Sequence, residues 1–203
     1  MLNFRCIGDR FALSGGWQDI EKDAKFLKDN NIFAVLDLQF TNEDSSLGIA
    51  SVTEAMSKNL TNFHFIRMFD SEFNPDFEGI LEEAFGVLSE WEKALDIQAS
   101  DAAKITGKSQ LVSLGFSSPK ILVKCGAGNS RSVCVLIAYL CMSRRWSFEF
   151  AKNWVQDLED VWLGINHATS HFFGMGIGME SFFTFKLREL FPENISAFGI
   201  KEF

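Results

Sequence analysis

Apolar positions along the first part of the chain switch between a period of two and a period near 3.6, which predicts strands separated by helices. Phe4 to Gly8 and Arg10 to Leu13 are short apolar stretches parted by Gly8-Asp9, the pattern of a hairpin, and Gly15-Gly16 closes the second. From Trp17 to Asn30, Ile20, Ala24, Phe26 and Leu27 fall near helical period, and Asn30-Asn31 is a stop signal. Phe33 to Leu38 follows as a short apolar run of the kind that forms a buried parallel strand. Val52 to Leu60 predicts a second helix and Asn62 to Met68 another strand. Asp76 to about Leu95 predicts a long helix with Phe77, Ile80, Leu81, Phe85, Leu88 and Trp91 on one face, Asp76 being its cap. Such alternation implies an α/β layered fold, a central mostly parallel sheet flanked by helices.

The second half is less regular. Residues 98–120 are rich in Ser, Gly and Lys and read as a surface insertion in a single domain that spans 1–203, with Leu111 to Phe116 free to dock. Ile121-Leu122-Val123 is a buried strand and Val133 to Met142 an apolar helix. Ser147 caps a helical stretch through Leu158, and Glu180 to Leu190 forms another before Pro192. His167 to Gly178, rich in glycine, matches no element.

Between the strand and the apolar helix lies Lys124-Cys125-Gly126-Ala127-Gly128-Asn129-Ser130-Arg131-Ser132. A cysteine leaving a buried strand and an arginine opening the next helix, five small or polar residues apart, let one loop close around one tetrahedral oxyanion, most simply phosphate. Gly126 and Gly128 allow positive φ, so the backbone can turn its N–H groups inward as a nest. The helix N-terminus adds positive potential. That field favours a thiolate at Cys125, which makes it a nucleophile. Arg131 brings a planar fork able to grip two phosphoryl oxygens. Gly126, Ala127, Gly128, Asn129, Ser130 and Arg131 are therefore the expected phosphate-binding residues.

Val123 to Ser132, followed by Ala138-Tyr139-Leu140-Cys141-Met142, resembles the signature of the dual-specificity branch of the cysteine-based protein phosphatases, His-Cys-x-x-Gly-x-Ser-Arg-Ser and then a helix ending Ala-Tyr-Leu-Met. The resemblance implies a phosphatase that works through a phosphocysteine intermediate without metal or cofactor. It assigns Cys125 as nucleophile, Arg131 as the grip on the phosphoryl group, Ser132 as the hydroxyl that assists breakdown of the intermediate, and Asp70, on the loop after a strand and before the long helix, as the acid. The motif departs at Lys124, where the family has His; Lys keeps a positive charge but not the imidazole's geometry. A catalytically weakened phosphoprotein-binding module of the same fold is the alternative.

Substrate class narrows by what the chain lacks. Its only tyrosine is Tyr139, in the helix after the loop, so a deep phosphotyrosine pocket walled by a tyrosine is not expected. Gly126 to Ser130 holds no Lys or Arg, unlike loops that take highly charged inositol phosphates. A shallow site, lined by Phe73, Trp146 or other aromatics, would admit phosphotyrosine and phosphoserine or phosphothreonine.

Composition fits that reading. A chain of 203 residues can bury a core without disulfides. The net charge of -8 and pI near 4.9 argue against nucleic acid or an anionic membrane as the main partner; the phosphatase resemblance implies a phosphoprotein substrate. The four cysteines show no framework spacing and read as reduced thiols, and no apolar run is long enough to cross a bilayer, so a cytoplasmic location is expected. Ala102 to Ser109 satisfies a loose nucleotide-binding P-loop, but it follows a helix end, not a strand. His167 and His171 lack a third metal ligand, and Gly174 to Gly178 is not a dinucleotide fingerprint.

Overall fold

The computed structural model describes residues 4–38, 54, 56, 58, 62–69, 76–106, 118–128, 130–157 and 182–192. In chain order these form β1 (Phe4–Ile7), β2 (Phe11–Ser14), α1 (Ile20–Asp29), β3 (Ile32–Asp37), β4 (Asn62–Phe65), α2 (Phe77–Thr106), β5 (Lys120–Lys124), α3 (Arg131–Arg144), α4 (Phe148–Asp157) and α5 (Phe182–Leu190). Glu54, Met56 and Lys58 are helical as well, within the expected Val52 to Leu60 segment. The sheet runs β1-β2-β5-β3-β4. Only the β1–β2 hairpin is antiparallel; β2, β5, β3 and β4 are mutually parallel. The expected α/β architecture with a mostly parallel sheet is present.

Side-chain alternation divides the core between the two faces of that sheet. Phe11, Leu13, Ala34, Leu36, Ile121 and Val123 belong to one apolar cluster with α2, α3 and α4. Ala12, Val35 and Leu122, the residues between them, join Ala24 and Leu27 of α1, Met56 and Trp17. Both faces being covered explains why the central strands are near-continuous apolar runs. α3 is buried along nearly its whole length, Arg131 to Cys141, so its residues show almost no amphipathic pattern.

Two element boundaries differ from expectation. α2 does not stop near Leu95 but continues to Thr106, so residues 98–106 of the expected insertion are helix. No Gly or Pro interrupts Asp96 to Thr106, alanine recurs, and Gly107 follows. Asp96 to Asp101 are exposed, so this turnout of the helix carries no apolar stripe to read. β4 ends at Phe65, not Met68; Ile66 N–H still donates to Asp37 O at 2.9 Å, after which the chain leaves the sheet. The smaller signals hold. Asp76 caps α2 through Gly79 N–H at 3.1 Å, Ser147 Oγ accepts from Phe150 N–H at 3.3 Å before α4, and Asn31, at φ 56°, provides the left-handed exit from α1. Residues 107–117, His167, His171 and Gly174 to Gly178 lie outside the described residues.

Candidate functional site

Three parallel strands end side by side where the cysteine loop begins. Ser14 pairs with Lys124 across β2 and β5, and Asp37 pairs with Lys124 across β3 and β5. One residue further, Cys125 leaves the sheet on the α3 side, in the cluster that holds Val123. Strand alternation has therefore sent Lys124 and Cys125 to opposite faces.

The loop that follows is braced from behind by the end of β2. Cys125 N–H donates to Ser14 O at 3.3 Å and Gly16 N–H donates to Gly126 O at 2.6 Å. Gly128 has a φ of 76°, and a Cβ there would stand 2.7 Å from Gly15 N and from the Ser14 carbonyl carbon. Conformation and space both demand glycine at that position. Gly15 is held nearly as closely, since a Cβ on it would lie 3.3 Å from Gly126 O.

Within the loop, two polar groups converge on sulfur. Gly128 N–H points at Cys125 Sγ from 3.2 Å, and Ser132 Oγ lies 3.3 Å from the same atom. Cys125 and Ser132 are buried, while Ala127 is exposed and Gly126 and Ser130 partly so, which leaves the rim of the loop open to solvent. α3 starts at Arg131, putting its positive end beside the loop. Arg131, only 1% exposed, donates from Nη1 to Met68 O at 3.1 Å. That bond ties the arginine to the chain two residues before Asp70. Asp70, Phe73 and Asn129 lie outside the described residues.

On the other face, Lys124 is engaged. Its Nζ sits 3.1 Å from both Oδ1 and Oδ2 of Asp37 and 4.2 Å from the centre of the Trp17 ring. Trp17 Nε1 in turn donates to Asp37 Oδ2 at 2.7 Å. The positive charge expected at this position is present, but a buried carboxylate holds it away from the face that carries the sulfur.

No family model matches the sequence, and no curated protein matches it. Solved structures do match. The Cydia pomonella PTP-2 phosphatase superposes with a TM-score of 0.55 over 77% of this chain and 80% of its own, at 18% identity. A mouse putative dual specificity phosphatase complexed with zinc tungstate gives 0.52 over 95% and 89%, at 17% identity. The chain has the fold of the cysteine-based protein tyrosine phosphatases. A human tyrosine phosphatase-like serine/threonine/tyrosine-interacting protein also matches, at 0.52 over 92% and 94% with 15% identity.

In this phosphatase fold Cys125, Gly126, Ala127, Gly128, Ser130, Arg131 and Ser132 lie in the turn from β5 into α3. The sequence pattern missed the brace and the ion pair. Gly15 and Gly16 read in the sequence only as the close of a strand, and Asp37 only as one position within the apolar run Phe33 to Leu38, although a carboxylate in such a run is itself a signal that a buried partner exists. Tyr139 is buried, its hydroxyl donating to Glu92 Oε2 at 2.7 Å, and Arg144 completes the group at 2.7 Å from Glu92 Oε1. Burial, with the Glu92 carboxylate beside it, raises the phenol well above its ordinary range. Burial likewise pushes the Cys141 thiol up to about 12, which keeps it a neutral core group. Trp146 packs edge-on against Phe150 and Trp154. Among the described residues no cluster of three His, Cys, Asp or Glu could hold a metal, and no helix is long and apolar enough to cross a membrane.

Proposed function

We propose that this chain is a protein phosphatase of dual specificity, hydrolysing phosphotyrosine and phosphoserine or phosphothreonine through a phosphocysteine intermediate. The observation that carries the reading is Cys125 Sγ set between Gly128 N–H and Ser132 Oγ, at the foot of a loop that runs straight into a buried arginine. The inward Gly128 N–H, a helix N-terminus and a guanidinium supply preorganised positive potential for a phosphoryl group. In the proposed reaction Sγ attacks phosphorus and an S–P bond forms as the P–O bond to the substrate breaks. Asp70 gives its proton to the leaving oxygen. Water then attacks the phosphocysteine, Ser132 assisting departure of the thiolate, and Arg131 holds two phosphoryl oxygens throughout.

Two observations support a shallow site. Tyr139 points into the core, and the part of the loop from Gly126 to Ser130 carries no basic side chain. A phosphoprotein is the partner we propose, in keeping with the acidic chain. The binding-module alternative draws its support from Lys124, whose charge Asp37 holds on the α1 side. Steady-state assays of a small aryl phosphate and of phosphotyrosine and phosphoserine peptides, with EDTA present, decide between them. Hydrolysis of all three, unaffected by EDTA, is the expected result; binding of phosphopeptides without release of phosphate would favour the module.

A further inference from the structure

We propose that Asp37 sets the anion affinity of the Cys125 loop, by cancelling the charge of Lys124 beneath it, and that Trp17 positions the pair. This rests on the reading of the loop as a phosphate site.

The pair is unusually secluded. Lys124 and Asp37 side chains are 0% and 3% exposed, so mobile ions screen them little. The two residues are register partners at the ends of adjacent parallel strands, and Lys124 precedes the nucleophile candidate directly in sequence. Its main chain is tied in as well, Lys124 O accepting from Leu38 N–H at 2.8 Å. Trp17 bonds Asp37 through Nε1 and lays its ring 4.2 Å from Lys124 Nζ. The same residue follows Gly15-Gly16, the segment that bears on Gly126 and Gly128 from behind. One tryptophan thereby links the brace of the loop to the ion pair below it.

Electrostatics then makes a signed prediction. With both charges present the pair adds little net potential at the loop. Without the carboxylate, a buried ammonium one residue from Cys125 acts on a bound oxyanion through low-dielectric protein, and without the ammonium a buried carboxylate repels it. If the three residues served packing alone, loss of either partner would loosen the loop and weaken binding in both cases. Opposite signs are the signature of the charge role.

The test is calorimetric titration of the full chain with tungstate and with inorganic phosphate. The variants are Asp37→Asn, Lys124→Gln and the double Asp37→Asn/Lys124→Gln, each checked for folding by circular dichroism. Asp37→Asn should tighten anion binding by on the order of tenfold, Lys124→Gln should weaken it by a similar factor, and the double variant should return to within about threefold of wild type. Weakening in both single variants, or no change in either, overturns the proposal while leaving the phosphate site standing. Wild-type protein that binds neither anion overturns both. Should Lys124→Gln fail to fold, the sign of the Asp37→Asn shift relative to the double variant decides, tightening being expected and weakening or no difference being contrary.

Discussion

Lys124 and Cys125 are neighbours in sequence, yet they stand on opposite sides of the sheet in two different kinds of polar cluster. On the α3 side a sulfur receives Gly128 N–H and lies beside Ser132 Oγ, and the rim of its loop opens to solvent. On the α1 side an ammonium has both oxygens of a carboxylate and an indole ring, and is closed off from solvent. The first arrangement presents donors to something that arrives from outside; the second satisfies itself. A single residue step along β5 is what separates them, because successive side chains of a strand face opposite ways. Substitutions on the α3 side should therefore cost rate with little loss of stability, and those on the α1 side should cost mainly stability, with a shift in anion affinity of about tenfold.

The largest separation is expected at Asp70. Asp70→Asn should lower kcat by roughly 10²–10⁴-fold on phosphoserine peptides and much less on an activated aryl phosphate, whose leaving oxygen needs little protonation. An equal loss on both substrates would assign Asp70 a structural role. Arg131→Lys comes next, with a loss of roughly 10²–10³-fold in kcat/KM, since a point charge cannot reproduce a two-pronged grip. Near-normal rates would mean the phosphoryl group is held in another way.

On the opposite face the readout is unfolding. Lys124→Met strands the Asp37 carboxylate in the core and should cost about 3–5 kcal/mol in denaturant melts, whereas Lys124→Met/Asp37→Leu, which removes the pair as a unit, should cost far less. Equal losses would show that packing, not charge, governs the site. Gly128→Ala blurs the division and so sharpens it. Strain at positive φ and the collision with Ser14 and Gly15 should cost about 1–3 kcal/mol and also reduce turnover, because the brace and the loop share this contact. Stability unchanged in that variant would break the link between β2 and the loop.

How much of this was legible in the sequence follows from the range of the interactions. β2, β3 and β5 announce themselves because each is a compact apolar run, and the cysteine loop because nucleophile, glycines and arginine lie within seven positions, Cys125 to Arg131. The Trp17–Asp37–Lys124 group was not legible. Its bonds join residues 20 and 87 apart, and nothing local to any one of them names the others; only strand register brings them together. The length of α2 failed for a related reason. Residues Asp96 to Asp101 are exposed, Ile97 by 63%, so this stretch lacks the buried stripe by which a helix is recognised. β4 was read too long because Ile66 and Met68 are buried without being strand, Met68 O being turned to Arg131. Sequence pattern records burial more faithfully than it records which element does the burying.

The central claim is that Cys125 carries the phosphoryl group in turnover. The direct measurement is rapid quench in alkaline detergent of the protein mixed with a ³²P-labelled phosphotyrosine peptide, in EDTA, followed by peptide mapping at alkaline pH. The account predicts alkali-stable label on the peptide containing Cys125 during turnover, none in Cys125→Ser, and tungstate affinity in Cys125→Ser within a few fold of wild type. Phosphate release without label on Cys125, or comparable turnover by Cys125→Ser, would contradict it.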